Sequence, residues 1–392
     1  MAKRDPERAT RLTRAIVANE LDAIVCVHPK SVLLLTGYWP IIGNSVAIAE
    51  RDGTVTLLVP QDEVAYIGKS NADEIVPFEA KKSPLENIRP ALEKKLGSFP
   101  FRTIGIEREP ISEEATYIAT TQYGCGLEDL IQEIAPRSSL AEADELLRAE
   151  RAILTMVELE RVRAAVAIAR EAFEIGSRHV QPGTTEYEIA MHFEMPLTTL
   201  AAKYPDITRA RGMVSCMSGE RSGTAYGAFA MSSRRRLKSG EVALIHCNSH
   251  ADGFWTDITR TYIVGTPSEL YQRMYEATFA ASEAGLGMIR PGIKAGSVDA
   301  AVRNVLSRYG FEKEIKHDAG HRVGFTAIDH NASPQLKKGS SDVLEAGMVI
   351  NLEPGIYFEG IAGMRLCDMV LVTSAGAELL TPFERSEEAL VR

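Results

Sequence analysis

Cysteine is scarce and shows no pairing pattern. The five in 392 residues, Cys26, Cys125, Cys216, Cys247 and Cys367, are odd in number, scattered, and form no C-x-x-C. That argues against a disulfide framework and suits reduced thiols in a cytoplasm. Long apolar runs are also missing. No stretch approaches the length of a membrane span, and the start, MAKRDPERATRLTRAIVANELDAIVCV, lacks the unbroken apolar core of a signal peptide. Excess positive charge is absent as well. A formal net charge of -9 argues against nucleic acid or an anionic membrane surface as partner. The first ~150 residues contain no phosphate-binding loop and no cluster of catalytic side chains.

What is present is ordinary globular material, 45% hydrophobic and 25% charged, in a chain long enough for two domains with separate cores. The first part, residues 1–150, reads as an α/β unit with a mixed sheet. Thr10 to Glu20 has helical spacing, DAIVCV and RTIGIE read as short buried strands, and SVLLLTGY reads as a strand. SVAIAERDGTVTLLVP reads as a hairpin turning at Arg51-Asp52-Gly53. From Ala141 to His179 runs a long helical stretch, broken near Thr155, so the second domain is placed at residues 155–392.

That second part carries an internal echo. Glu171 to Ala190 resembles the segment from Glu283 to Val302, with Pro182 matching Pro291 and Gly176 matching Gly285. Each copy reads as a helix, a Pro-Gly turn and a second helix opening beside Thr or Ser caps. β-rich sequence follows both. Two α-plus-β halves predict a pseudo-twofold domain with a site at the junction of the half-sheets.

Three stretches near the C-terminal end carry the chemistry: TDITRTY (Thr256 to Tyr262), GHRVG (Gly320 to Gly324) and INLEPGIY (Ile350 to Tyr357). Each sets one strong ligand side chain, Asp257, His321 or Glu353, among small or apolar residues. Two carboxylates and an imidazole on separate strands suit a divalent cation. Glu353 in an apolar run needs a metal, a cation or a proton if it is buried.

These motifs resemble the M24 metallopeptidases, the family of aminopeptidase P, prolidase, methionine aminopeptidase and creatinase. ADGFW, PGTTEYEIA, LLLTGY and MRLCDMVLVT extend the resemblance along nearly the whole chain. It implies a creatinase/prolidase-like N-terminal α/β domain, a C-terminal pita-bread domain (α+β, with a curved antiparallel sheet) and a homodimer. It also implies five ligands, two Asp, one His and two Glu, around two metal ions. Asp257, His321 and Glu353 match three of them. The other two positions are altered: His246, in LIHCNSH, stands where the first Asp belongs, and Cys367 stands at the second Glu of an R-x-E-D stretch. A lone His or Cys in an apolar strand is more often packed core than ligand. Arg365 is placed to orient a carboxylate. His330 lies near the family's substrate-contacting His, and the loop SGERSGTAYGAF offers Tyr226 where an upstream His is usual. His250 reads as a hairpin residue facing solvent.

Three readings fit these residues. One keeps a single divalent ion (Mn, Zn or Co) on Asp257, His321 and Glu353, with Cys367 and His246 as further ligands. Its reaction is hydrolysis of the amide C–N bond of a small or dipeptide substrate, as by an Xaa-Pro dipeptidase. Glu353 would pass protons, and His330, Tyr226 and Arg365 would contact substrate. A second is metal-free acid–base catalysis by His246, His321, His330 and Glu353 on a creatine- or ectoine-like compound. The third is a catalytically silent pocket that binds a ligand.

Overall fold

The computed structural model describes residues 5–41, 43–68, 70–97, 101–109, 125–227, 231–329 and 332–392. The chain forms two compact units, Met1–Arg151 and Ala152–Arg392. Among the described residues no helix is long and apolar enough to cross a membrane.

The first unit runs α1 (Pro6–Ala18), β1 (Ala23–Cys26), α2 (Pro29–Thr36), β2 (Val46–Glu50), β3 (Val55–Pro60), β4 (Glu74–Phe78), α3 (Pro84–Leu96), β5 (Thr103–Ile106), α4 (Cys125–Ile134), β6 (Ser139–Glu142) and α5 (Asp144–Ala152). Its six strands make one mixed sheet in the order β4-β3-β2-β1-β5-β6. The β2–β3 hairpin lies where its turn residues place it, with Gly53 at φ 93°. Two expectations fail here. SVLLLTGY is helix, not strand. Pro29 opens α2 and Gly37, at φ 69°, closes it; all eight of its residues are buried, so no polar face discloses the helical period. Ala141 lies in β6 rather than in a helix, because its segment pairs in parallel with β5.

The second unit opens with α6 (Met156–Gly176) and α7 (Glu186–Leu200), each started by a Thr/Glu capping box, Thr155 with Glu158 and Thr185 with Glu188. Next come β7 (Ala210–Ser218), β8 (Val242–Ala251) and β9 (Phe254–Ile263), an antiparallel three-stranded sheet. The second half repeats the plan with α8 (Glu269–Met288), α9 (Ala295–Arg308), β10 (Val349–Leu352), β11 (Gly355–Phe358), β12 (Ala362–Arg365), β13 (Asp368–Thr373) and β14 (Gly376–Leu379). The echo is structural. Gly183 and Gly292 take the same left-handed turn, at φ 90° and 84°. A Cβ on Gly176 would sit 2.4 Å from the Phe193 ring, and one on Gly285 2.9 Å from Leu352, so both glycines permit close helix packing. The caps differ: α9 starts at Lys294, whose side chain caps nothing, so the expected Ser cap is not found there.

The half-sheets join where Thr259 and Cys367 exchange backbone hydrogen bonds. Behind this seam Arg260 is fully buried, and all five of its N–H donors have acceptors. Nε donates to the Phe383 carbonyl at 2.9 Å, one terminal nitrogen to the carbonyls of Thr259 (2.9 Å) and Cys367 (2.8 Å). The other donates to Asp368 Oδ1 (2.7 Å) and the Thr381 carbonyl (2.9 Å). Arg385 Nε takes the second oxygen of Asp368 at 2.9 Å. Removing one partner of such a buried set strands the rest. Arg260→Met should therefore lower unfolding stability by roughly 3–5 kcal/mol, measured by urea denaturation.

Candidate metal centre

β9 brings Asp257 to the seam on the face that also carries Thr259. The segment holding His321 runs beside β10: Asn351 donates its backbone N–H to the His321 carbonyl at 2.8 Å, and Glu353 to that of Ala319 at 2.9 Å. Gly320 allows this approach, since a Cβ there would lie 2.0 Å from the Asn351 carbonyl oxygen. Asp257, His321 and Glu353 thus converge, all three buried, with their ligand atoms within 4.8 Å of one another.

The donors are oriented for a cation. His321 Nδ1 donates to the Arg322 carbonyl at 2.9 Å, leaving Nε2 turned toward Asp257 Oδ2 (3.4 Å) and Glu353 Oε1 (3.8 Å). Burial opposes a charge on His321, but the hydrogen bond to Asp257 and the charges of Glu353 and Asp257 outweigh it, and its pKa rises to about 9. Burial likewise opposes ionisation of Asp257, yet His246, His321 and Arg365 hold its carboxyl down at about 2. With no metal bound, a proton on His321 Nε2 takes the place that a cation fits, and the donor set of one imidazole and two carboxylates suits one divalent ion.

The altered positions lie beside this triad. Arg365 Nε donates to Thr259 Oγ1 at 3.1 Å, so the Thr259 hydroxyl is left to donate to His246 Nδ1 at 3.0 Å. His246 is then neutral with its proton on Nε2. Burial, and after it the Arg365 charge, pushes its pKa down to about 4. Its Nδ1 lies 3.5 Å from Asp257 Oδ1. Cys367 is completely buried, accepts from Asn351 Nδ2 at 3.0 Å and donates to the Asp257 carbonyl at 3.3 Å. Burial holds it in the thiol form. The cluster of potential ligands found among the described residues contains neither His246 nor Cys367.

Arg365 places a terminal nitrogen 3.7 Å from Glu353 Oε2. Tyr226 is a shell further out, its hydroxyl donating to Glu359 at 2.7 Å and its ring packed edge-on against Tyr357. His330 lies outside the described residues. His250 is 5% exposed, not solvent-facing; its ring packs on Trp255.

Two participants went unread in the sequence. Asn351 donates from Nδ2 to Asp257 Oδ2 at 2.9 Å and so fixes that carboxylate. Its signal was its place two residues before Glu353, on the strand that leads into it. His317, four residues before His321, pairs its Nε2 with the Tyr357 hydroxyl at 2.8 Å.

The chain belongs to metallopeptidase family M24, whose model matches residues 160–374, and the creatinase/prolidase N-terminal domain matches residues 8–153. The expected family and two-domain architecture are borne out. Among particular relatives, the chain is 27% identical over 382 residues to an Xaa-Pro dipeptidase of Pyrococcus horikoshii, covering 97% of this chain and 98% of the relative. The crystal structure of the prolidase from the same organism superposes with a TM-score of 0.77 at 26% identity, covering 97% of this chain and 99% of that one. An Xaa-Pro dipeptidase structure from Bacillus anthracis, at 23% identity and TM-score 0.79 over 98% and 99% of the two chains, shares the fold.

Two outcomes follow. Asn351→Ala should weaken divalent-metal binding roughly 10–100-fold, measured by competition with a chelating dye. Because the folded-state pKa of His321 lies above the unfolded value of about 6.5, protonated His321 stabilises metal-free protein fully below that pH. That contribution, on the order of 1–3 kcal/mol, disappears as pH rises through about 9. Denaturation of chelator-treated protein at pH 6.5 and 9.5, with His321→Gln as reference, should reveal it.

Proposed function

We propose that this chain is an M24 hydrolase of the Xaa-Pro dipeptidase type, working with one divalent ion of Mn, Zn or Co held by Asp257, His321 and Glu353. The convergence of those three buried ligands carries the reading. Prolidase-type relatives matching almost the full length support it over metal-free creatinase-like chemistry and over a silent binding protein.

Local charge supports one ion rather than two. Two carboxylates and the Arg365 guanidinium face a site whose His246 is neutral. One divalent cation leaves a single positive charge there, whereas two would leave three in a buried space.

A divalent ion bound there supplies a Lewis acid that polarises the scissile carbonyl and lowers the pKa of water. Asp257 and His321 keep their lone pairs aimed at one point, Asp257 through Asn351 and His321 through the Arg322 carbonyl. Glu353 is the carboxylate placed to carry a proton from water to the leaving nitrogen, with Arg365 holding its other oxygen. His246, a neutral imidazole at the edge of the triad with 23% of its side chain accessible, offers its Nε2–H as a hydrogen-bond donor to the reacting group while Thr259 occupies Nδ1. His330 and Tyr226 contact substrate in this reading. Cys367 braces Asp257, and the protein acts as a cytoplasmic homodimer.

Metal content measured by plasma mass spectrometry after loading with Mn²⁺ should be close to one ion per protomer, with hydrolysis of Xaa-Pro dipeptides. Asp257→Asn should lose both. Two ions would make His246 and Cys367 ligands. Retention of full turnover by metal-free protein would overturn the proposal.

A further inference from the structure

Asn248 lies on β8 directly opposite Asp257 of β9 and Met213 of β7. Strand alternation puts its side chain on the face that carries the Asp257 carboxylate, with His246 and His250 two positions to either side. It is 7% exposed, and its Nδ2 has no hydrogen-bond partner. A buried amide N–H normally finds an acceptor, so an orphan next to a catalytic carboxylate calls for an explanation.

Support for Asp257 does not supply one, because Asn351 already donates to that carboxylate and Asn248 does not. The surroundings point to a ligand acceptor. Beyond Asn248 on the same face, Arg211 stands opposite His250, which stands opposite Trp255. His250 is neutral: burial, and then the nearby charges of Arg209 and Arg211, push its pKa down to about 3. Along this sheet face the unpartnered Asn248 N–H donor therefore stands between the Asp257 carboxylate, directly across on β9, and Arg211, which pairs with His250 two positions further on.

We propose that the Asn248 amide is a substrate-binding residue that donates a hydrogen bond to a substrate carboxylate and selects substrates carrying one next to the scissile amide. The assignment rests on the hydrolase reading given above. A dipeptide has its carboxylate one residue from the carbonyl under attack, and that spacing matches neighbouring positions on adjacent strands, whose Cβ atoms lie roughly 5 Å apart.

The test uses full-length, metal-loaded protein with Asn248→Leu, which keeps the volume and removes the donor, and Asn248→Ala should the first misfold. Steady-state kinetics are measured with glycyl-proline and with glycyl-prolinamide. KM for the acid should rise roughly ten- to hundredfold, with a much smaller change in kcat and little change for the amide. Tm without ligand should rise, because an unpaired buried donor has been removed. Unchanged KM for the acid would overturn the proposal. Equal losses on acid and amide would assign the contact to the peptide carbonyl and overturn it too. Failure of the wild type to cleave any Xaa-Pro dipeptide would instead sink the hydrolase reading. Asn248 is then tested by thermal shift with millimolar N-acetylproline and its amide. Stabilisation by the acid alone, lost in Asn248→Leu, supports the proposal, and no shift in the wild type refutes it.

Discussion

Arg260 and Asp368 form the contact on which the catalytic unit depends. They come from β9 and β13, strands of the two halves of the internal repeat, and neither has any exposure to solvent. A buried guanidinium is tolerable only when every N–H is accepted, and here the acceptors are the carbonyls of Thr259, Cys367, Thr381 and Phe383 together with Asp368 itself. Such a network has one geometry. It sets the register of the seam, and the seam sets the spacing between Asp257, two residues after Trp255 on β9, and the strands that deliver Glu353 and Cys367. The metal centre is thus built on an ion pair that never touches it.

Within the site, the altered positions change the charge rather than the frame. Asp257 keeps two props, the Asn351 amide on one oxygen and the Cys367 thiol on its backbone carbonyl. The imidazole of His246 takes a hydrogen bond from Thr259, which in turn accepts from Arg365. This chain of contacts ties the guanidinium, the hydroxyl and the imidazole together along one edge of the triad. The result is a smaller negative field than four carboxylates would create.

Much of this is legible in the amino-acid sequence. Asp257, His321 and Glu353 announce themselves because strong ligand side chains in apolar or glycine-flanked strands have few other uses. The repeat was legible from Gly176 and Gly285, whose missing side chains admit Phe193 and Leu352. Other elements were not. α2 hides its helical period because every side chain is buried, and β6 reads as helix because its strand character comes only from pairing with β5. His250 reads as a polar hairpin residue, yet its burial follows from Trp255 across the strand.

The amino-acid sequence by itself determined the family, the two-domain plan and which three side chains, Asp257, His321 and Glu353, make up the candidate metal centre, since these rest on local residue chemistry and short spacings. Only the tertiary structure decided what surrounds them. Asn351 reaches Asp257 from 94 positions away, Arg365 reaches Thr259 from 106, and Asn248 is left without an acceptor across from Asp257. Hydrogen-bond partners, protonation states and burial depend on which strands meet, and strand pairing over such separations follows from the packing of the whole unit rather than from any local pattern.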